Sequence, residues 1–301
     1  MTRNEIIERI QELRKKRRAV ILAHNYQIGE VQDIADFTGD SLGLSQEAAR
    51  CDAEVIVFCG VHFMAETAAI LSPRKTVLLP DPRAGCPMAD MITAPELRDW
   101  KARYPGRPVV CYVNTTADVK AESDICCTSS NAVRVVLSLP DEEVLFVPDK
   151  NLAAFVARET RKKIIAWDGY CYVHNRILAR DVLAAKNAHP AAEVWVHPEC
   201  RPEVIDLADR VISTGFMVKA ARETAAREVL VGTEVGILHR LRKESPRTAF
   251  YPVKERALCS NMKKITLIKV LRTLEEMKDR VEVPSAVSRR ARGAIKKMVS
   301  I

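Results

Sequence analysis

The chain lacks the features that would place it in several common classes. Aromatic residues make up only 5% of its 301 residues, so any core must be aliphatic. No apolar run approaches the roughly 20 residues that cross a membrane as a helix, and no membrane partner is expected. The opening Met1-Thr2-Arg3-Asn4-Glu5 leads into an amphipathic segment rather than the apolar core of a signal peptide. A cytoplasmic location with reduced thiols is therefore expected. No cysteine has a partner at C-x-x-C spacing, whereas structural zinc sites normally use such pairs and four ligands. There is no low-complexity segment and no long flexible linker. Few aromatics interleave with basic residues, so no stacking platform for single-stranded nucleic acid is present.

What is there is a foldable, mildly basic chain. The hydrophobic fraction of 48% excludes global disorder, and the length allows two or three small domains or one large one. Net charge is +8, from 47 basic and 39 acidic residues. The basic residues are scattered, with short clusters at Arg14–Arg18 and Arg289-Arg290 that read as solvated helix faces, so no nucleic-acid partner is expected. Nine cysteines, an odd number mostly in strand-like apolar runs, argue against a disulfide framework.

Three of those cysteines mark a repeat. Cys86 in Gly85-Cys86-Pro87, Cys171 after Gly169-Tyr170, and Cys259 after Ala257-Leu258 each close a similar run of elements. Each run starts with an apolar strand ending in a polar turn, at His24-Asn25-Tyr26, Tyr112-Val113-Asn114 and His197-Pro198-Glu199. A second strand ends in Ser or Thr, at Ser41, Ser129 and Ser213-Thr214. A third ends at Gly60, Pro148 and Gly232. His24 to Ser41 is 17 residues, Asn114 to Ser129 is 15, and His197 to Ser213 is 16. From those serines to the third turn is 19 in all three runs, and from there to the cysteine 26, 23 and 27. A threefold repeat of about 85 residues is the economical explanation. Equivalent turns of three such units can converge on one axis, where three thiolates would leave one coordination position of a metal centre open.

The strands, continuous in Val, Ile and Leu and alternating with helices, predict α/β units with parallel sheets covered on both faces. The expected boundaries are 1–85, 86–170 and 171–261, with two C-terminal helices within 262–301 packing back on the first unit. Asn4 is the expected N-cap of the first helix. Ile265, Ile268, Leu271 and Leu274 are expected on one buried stripe of the penultimate helix.

In parallel α/β sheets ligands gather beyond the carboxyl ends of the strands, near helix N-termini that favour anions. The polar residues of the repeat sit there: His24, Asn25, Tyr26, Ser41, Tyr112, Asn114, Ser129, His197, Glu199, Ser213 and Thr214. A lone serine after a strand is ordinarily just a helix cap; three equivalent sets beside the three cysteines point further. His197 and Glu199, two apart across Pro198, can face one pocket as an acid/base pair. Soft thiolate ligands without C-x-x-C pairs suit an iron–sulfur cluster, which with three thiolates keeps one iron open as a Lewis acid. Cys51, Cys59, Cys111, Cys126, Cys127 and Cys200 read as small buried hydrophobes. His174 reads as a structural or supporting residue rather than a ligand, and His62, His189 and His239 as structural.

These blocks resemble the quinolinate synthase family. The resemblance runs through Ala23-His24-Asn25-Tyr26-Gln27, Gly39-Asp40-Ser41-Leu42, Gly85-Cys86-Pro87-Met88, Thr128-Ser129-Ser130-Asn131, His197-Pro198-Glu199-Cys200, Ser213-Thr214-Gly215, Gly232-Thr233-Glu234 and Asn261-Met262-Lys263-Lys264, and covers essentially the whole chain. It implies three α/β sandwich domains about a pseudo-threefold axis. It also implies one [4Fe–4S] cluster per chain, with Cys86, Cys171 and Cys259 as ligands. The implied reaction condenses iminoaspartate with dihydroxyacetone phosphate, losing phosphate and two waters to form quinolinate in NAD synthesis. The enzyme that makes iminoaspartate is then a conceivable transfer partner. Tyr26, Tyr112, His197 and Glu199 match residues of proton transfer and substrate orientation. His24, Ser41, Asn114, Ser129, Ser213 and Thr214 match those around substrate carboxylates and phosphate, in what is expected to be a basic, hydroxyl-rich cavity. Ser260 and Met262 stand where some members carry further cysteines, which removes the basis for a redox disulfide near Cys259.

Overall fold

The computed structural model describes residues 1–301. It opens with helix α1 (Arg3–Lys16). Thr2, not Asn4, caps this helix: its hydroxyl accepts the Glu5 N–H at 3.3 Å while the Glu5 carboxylate accepts the Thr2 N–H at 2.8 Å. Such a reciprocal pair satisfies two of the orphan donors at a helix start, which one Asn cannot do, and Asn4 falls inside the first turn.

Three similar stretches follow. The first holds β1 (Ala19–His24), α2 (Gly29–Ile34), β2 (Phe37–Gly39), α3 (Ser41–Arg50), β3 (Val55–Cys59), α4 (His62–Leu71) and β4 (Thr76–Leu78). After α5 (Ala94–Arg103) come β5 (Val109–Tyr112), α6 (Ala117–Ala121), β6 (Ile125–Cys127), α7 (Ala132–Leu137), β7 (Glu143–Val147), α8 (Lys150–Thr160) and β8 (Lys163–Ala166). After α9 (Ala179–Ala188) come β9 (Glu193–Val196), α10 (Pro202–Ile205), β10 (Arg210–Val211), α11 (Thr214–Glu223), β11 (Glu228–Gly232), α12 (Ile237–Glu244) and β12 (Ala249–Pro252). Helices α13 (Leu267–Glu276) and α14 (Ser285–Val299) end the chain.

The strands form three four-stranded sheets, ordered β2-β1-β3-β4, β6-β5-β7-β8 and β10-β9-β11-β12, every pairing parallel. The order is the same in all three, as the repeat in the sequence requires. Even a side-chain tie recurs. Asp36, Asp124 and Asp209, just before the second strand of each sheet, accept the N–H of Ile21, Val109 and Val194 at 2.8, 2.7 and 2.7 Å. Each tie spans 15 residues and anchors the first strand to the turn that starts the second.

Packing is less symmetric than topology. The first and second sheets share one apolar core of 60 buried residues that includes α13 and α14, while the third sheet has separate clusters of 12 and 10 on its two faces. Helix α13 lies against α1 and β3, and α14 against α4, α6 and β6, so α14 bridges the first two sheets. The stripe of α13 differs from expectation. A 3₁₀ turn at Met262–Lys264 and an extended Ile265 leave Ile265 outside the helix, and within it an i, i+3 series drifts about 60° around the axis at each step because a turn takes 3.6 residues. Leu267, Val270, Leu271 and Leu274 are buried, and Ile268 is 41% exposed. Because Ile295 of α14 is fully buried in the shared core, Ile295→Ala is expected to cost about 2–5 kcal/mol. Chemical denaturation of the metal-free chain would read this, and a change below about 0.5 kcal/mol would show that α14 is dispensable to the core.

Candidate active site and metal centre

The carboxyl ends of the first strands of all three sheets open on one cavity, where the third unit meets the joined first two. It is lined by His24, Tyr26 and Ser41 from the first sheet, Tyr112, Asn114 and Ser129 from the second, and His197, Glu199 and Thr214 from the third, together with Cys86, Cys171 and Cys259. Of the residues singled out in the sequence, Ser213 stands back from the wall. It is buried, and its hydroxyl lies 2.7 Å from that of Ser130, which in turn donates to Asp40.

The serines are not helix caps. Asp40 caps α3 through the Gly43 N–H at 2.9 Å, Ser213 at the N-cap of α11 makes no capping bond, and the Ser129 hydroxyl lies 3.2 Å from His197 Nε2. The hydroxyls of Ser129 and Ser213 are thus turned from helix capping toward contacts between units. Other contacts also cross between units. Asn25 Nδ2 donates to Thr214 Oγ1 at 3.2 Å, and the Tyr112 hydroxyl donates to Glu199. Asn114 Oδ1 is buried with no partner, an acceptor left open on the cavity wall.

Two imidazoles are held alike at equivalent strand ends. His24 Nδ1 accepts the Tyr26 N–H at 3.1 Å and His197 Nδ1 accepts the Glu199 N–H at 3.3 Å. In both rings the proton is therefore on Nε2. Burial lowers each to a pKa of about 3, helped at His24 by Lys263 and opposed at His197 by Glu199, so both rings are neutral at pH 7. Burial also raises the hydroxyls of Tyr26 and Tyr112 well above their usual values, the Glu199 charge adding to it. Glu199 itself is pushed up by burial, but His174 and His197 beside it, and the hydrogen bond from Tyr112, outweigh that and hold it below the usual carboxylate range.

The sign of the histidine shifts fixes a pH dependence. A folded-state pKa near 3 against about 6.5 unfolded means the unfolded chain binds more protons between those values, so stability rises with pH across that window. The metal-free protein is expected to lose thermal stability as pH falls below about 6.5, and His24→Gln or His197→Gln should flatten the slope. An unchanged slope in both variants would show that neither ring is held neutral.

His174 matters more than its place in the sequence suggests. It lies in the 3₁₀ turn just after Cys171 and is buried at the centre of the site. Its Nδ1 is 2.6 Å from Glu199 Oε2, its Nε2 is 2.7 Å from Thr233 Oγ1, and Thr233 Oγ1 is 2.6 Å from the Tyr26 hydroxyl. Its ring stacks on His197 with centroids 4.6 Å apart. Tyr26, Thr233 and His174 are thus linked through the Thr233 hydroxyl, and the His174 ring faces Glu199 at ion-pair distance without a hydrogen bond between them. Spacing from Cys171 is the only sequence signal for it. Asp40 and Glu234 also line the cavity; both lie in blocks that carry the resemblance, Gly39-Asp40-Ser41-Leu42 and Gly232-Thr233-Glu234, but neither is among the site residues expected from the sequence. The expected basic lining is not found. No Lys or Arg lines the cavity; the nearby Lys263 is engaged by Glu234 at 2.7 Å and by the Tyr26 carbonyl. Burying an unpaired cation among these walls would be costly, so any anion is met by hydroxyls, N–H groups and imidazoles.

The thiols fit a soft metal centre. Cys86, Cys171 and Cys259 are free and partly exposed, and Cys59, Cys111, Cys126, Cys127 and Cys200 are wholly buried; Cys51, expected to be buried, is also partly exposed, but it lies at the end of α3 outside the cavity, its Sγ donating to the Ala48 carbonyl. Burial pushes Cys86 up to about 12, with Cys259 and Glu199 adding to the effect, and pushes Cys171 well up. Thiolates there need a cationic centre beside them. Cys171, His174 and Glu199 also bring potential ligand atoms within 4.8 Å of one another. The His174 and Glu199 atoms, however, are already paired with each other, which leaves the three thiols as the uncommitted soft donors.

Three parallel α/β sheets around a buried junction lined by thiols, imidazoles and a carboxylate define an enzyme with a candidate metal centre. A family model described as "NadA: Quinolinate synthetase A protein" matches residues 8–300. The chain is 62% identical over 296 residues to the quinolinate synthase of Dehalococcoides mccartyi (strain ATCC BAA-2266 / KCTC 15142 / 195), covering 98% of each chain. It is 56% identical over 301 residues to "Quinolinate synthase 1" of Methanosarcina acetivorans, covering 100% of this chain and 99% of that one. The chain belongs to the quinolinate synthetase A family. No helix is long and apolar enough to cross a membrane.

Proposed function

We propose that the chain makes quinolinate in NAD synthesis, in the cytoplasm, by condensing iminoaspartate with dihydroxyacetone phosphate and releasing phosphate and two waters. The observation that carries the reading is the meeting of Cys86, Cys171 and Cys259, which close the three successive runs of the repeat, in the cavity that also holds the strand-end polar residues. These cysteines would hold a [4Fe–4S] cluster. When bound, it supplies one open iron as a Lewis acid toward a hydroxyl or carbonyl oxygen.

The protein's own groups then have distinct tasks. Asn114 Oδ1, without a partner, accepts a hydrogen bond from substrate. Ser41, Ser129 and Thr214, with the uncapped start of α11, offer donors to carboxylate and phosphate oxygens. Neutral His24 and His197 donate from Nε2 and add no charge. The Tyr26 hydroxyl, whose proton is tightly held, acts as a donor backed by Thr233 and His174. Tyr112 orients Glu199, which takes a proton during dehydration.

The test is anaerobic assay of cluster-loaded protein with iminoaspartate generated in place and dihydroxyacetone phosphate, following quinolinate. Its formation at a rate proportional to cluster content is expected. Turnover of another hydroxy acid instead, with no quinolinate, would reassign the protein to a different cluster-dependent dehydratase.

A further inference from the structure

The three cysteine turns are not held in the same way. Two rest on a buried carboxylate that lies far away in sequence, just past the third strand of the same sheet. Asp149, two residues beyond β7, accepts the Cys171 N–H with Oδ2 at 3.1 Å. Its Oδ1 accepts the Leu152 N–H at 2.8 Å and so caps α8. Glu234, two residues beyond β11, accepts the Cys259 N–H with Oε1 at 3.0 Å and the Gly236 N–H with Oε2 at 2.7 Å. Lys263 Nζ sits 2.7 Å from the same Oε1. Both carboxylates are fully buried.

The first sheet has no such acid. Val61 occupies the corresponding place without a capping bond, and the Cys86 turn is held there by the His62 N–H donating to the Ala84 carbonyl at 2.8 Å. Asp81, inside the turn itself, accepts the Arg83 N–H at 2.9 Å.

Resting on the cluster reading above, we propose that Asp149 and Glu234 are positioning residues for the metal centre. Each uses one oxygen to hold a ligand cysteine's backbone and the other to anchor that hold to the start of the next helix or turn. Both oxygens face N–H donors, so an amide side chain cannot replace the carboxylate: its NH₂ group would oppose one of them. The Cys86 turn, held by backbone, is independent of this device.

The asymmetry gives the test. Serine caps a helix about as well as aspartate, so Asp149→Ser retains the α8 cap while losing the Cys171 bond. Cluster-loaded protein would be prepared anaerobically for the unmodified chain, Asp149→Ser, Glu234→Gln and, as a capping control, Thr93→Ala, whose residue caps the exposed start of α5. Three quantities would be measured: iron bound per chain, the rate of iron release to a chelator, and the thermal midpoint of the metal-free chain. Iron release is expected to speed up at least about tenfold in Asp149→Ser and Glu234→Gln, the scale on which loss of a group supporting a metal ligand is felt, and to stay unchanged in Thr93→Ala. The metal-free midpoint of Asp149→Ser should stay near that of the unmodified chain. Unmodified release rates in both site variants, with the unmodified chain holding its cluster, would overturn the proposal and leave the cluster reading standing. Faster release that tracks an equal loss of metal-free stability would reduce both residues to structural ones and overturn it too. An unmodified chain that takes up no iron would overturn the cluster reading itself, and the proposal with it.

Discussion

Replacing Cys86, Cys171 or Cys259 by alanine is expected to leave anaerobically reconstituted protein without its iron–sulfur absorption and without turnover. Each thiol closes a different run of the repeat and none has a neighbour at C-x-x-C spacing, so no second sulfur stands close in sequence to replace a lost one. Cys126→Ala and Cys127→Ala should keep both iron and turnover. These thiols are wholly buried in β6, and burial raises both well above the usual range, where they behave as small apolar side chains. The contrast between the two sets carries the argument, because a generally destabilised protein would lose iron in both. Full iron and activity in Cys86→Ala would sink the ligand assignment.

The second large effect is expected at Glu199. Glu199→Gln keeps the size of the side chain and removes its charge and its capacity to accept a proton. General acid–base groups contribute roughly 10²–10⁴-fold, so quinolinate formation should fall by that order. Iron content should not change, since no cysteine turn depends on this residue. Binding of a dicarboxylate should survive or tighten, because a buried negative charge is gone. Thr214→Val, by contrast, should weaken binding with a smaller effect on turnover. Ser213→Ala should act indirectly, through Ser130 and Asp40, since Ser213 does not reach the cavity wall. Near-normal turnover in Glu199→Gln would place the base elsewhere, at Tyr26 or His197, or at His174, which shares a hydrogen-bonded chain with Tyr26.

Much of the fold and part of the site are legible in the amino-acid sequence. Strands continuous in Val, Ile and Leu identify a sheet buried on both faces, because a half-exposed sheet would alternate. Equal spacings from Ser41, Ser129 and Ser213 to the third turn reveal the repeat, because equivalent strands and helices occupy equal lengths of chain. The family resemblance and the repeat agree on the same three cysteines. Local phase and capping are where sequence and structure part. Asn4 yields to the Thr2–Glu5 pair, and Ile268 falls on the exposed side because an i, i+3 series drifts off one face of a 3.6-residue helix.

Composition, strand pattern and repeat spacing by themselves determine the α/β class, the threefold plan and the cysteines worth testing, since each depends on contacts within a short stretch or on lengths along the chain. Tertiary structure alone decides which polar groups meet. Tyr26 finds Thr233 across 207 residues, Tyr112 finds Glu199 across 87, and Asn131 donates to the Met298 carbonyl across 167. It also makes His174 the centre of the site, withdraws Ser213 behind Ser130, and keeps every Lys and Arg off the cavity wall. Such pairings arise where the ends of three sheets are pressed together, and the free energy of leaving a buried donor or acceptor unmatched selects partners by proximity in space, which no periodicity along the chain encodes.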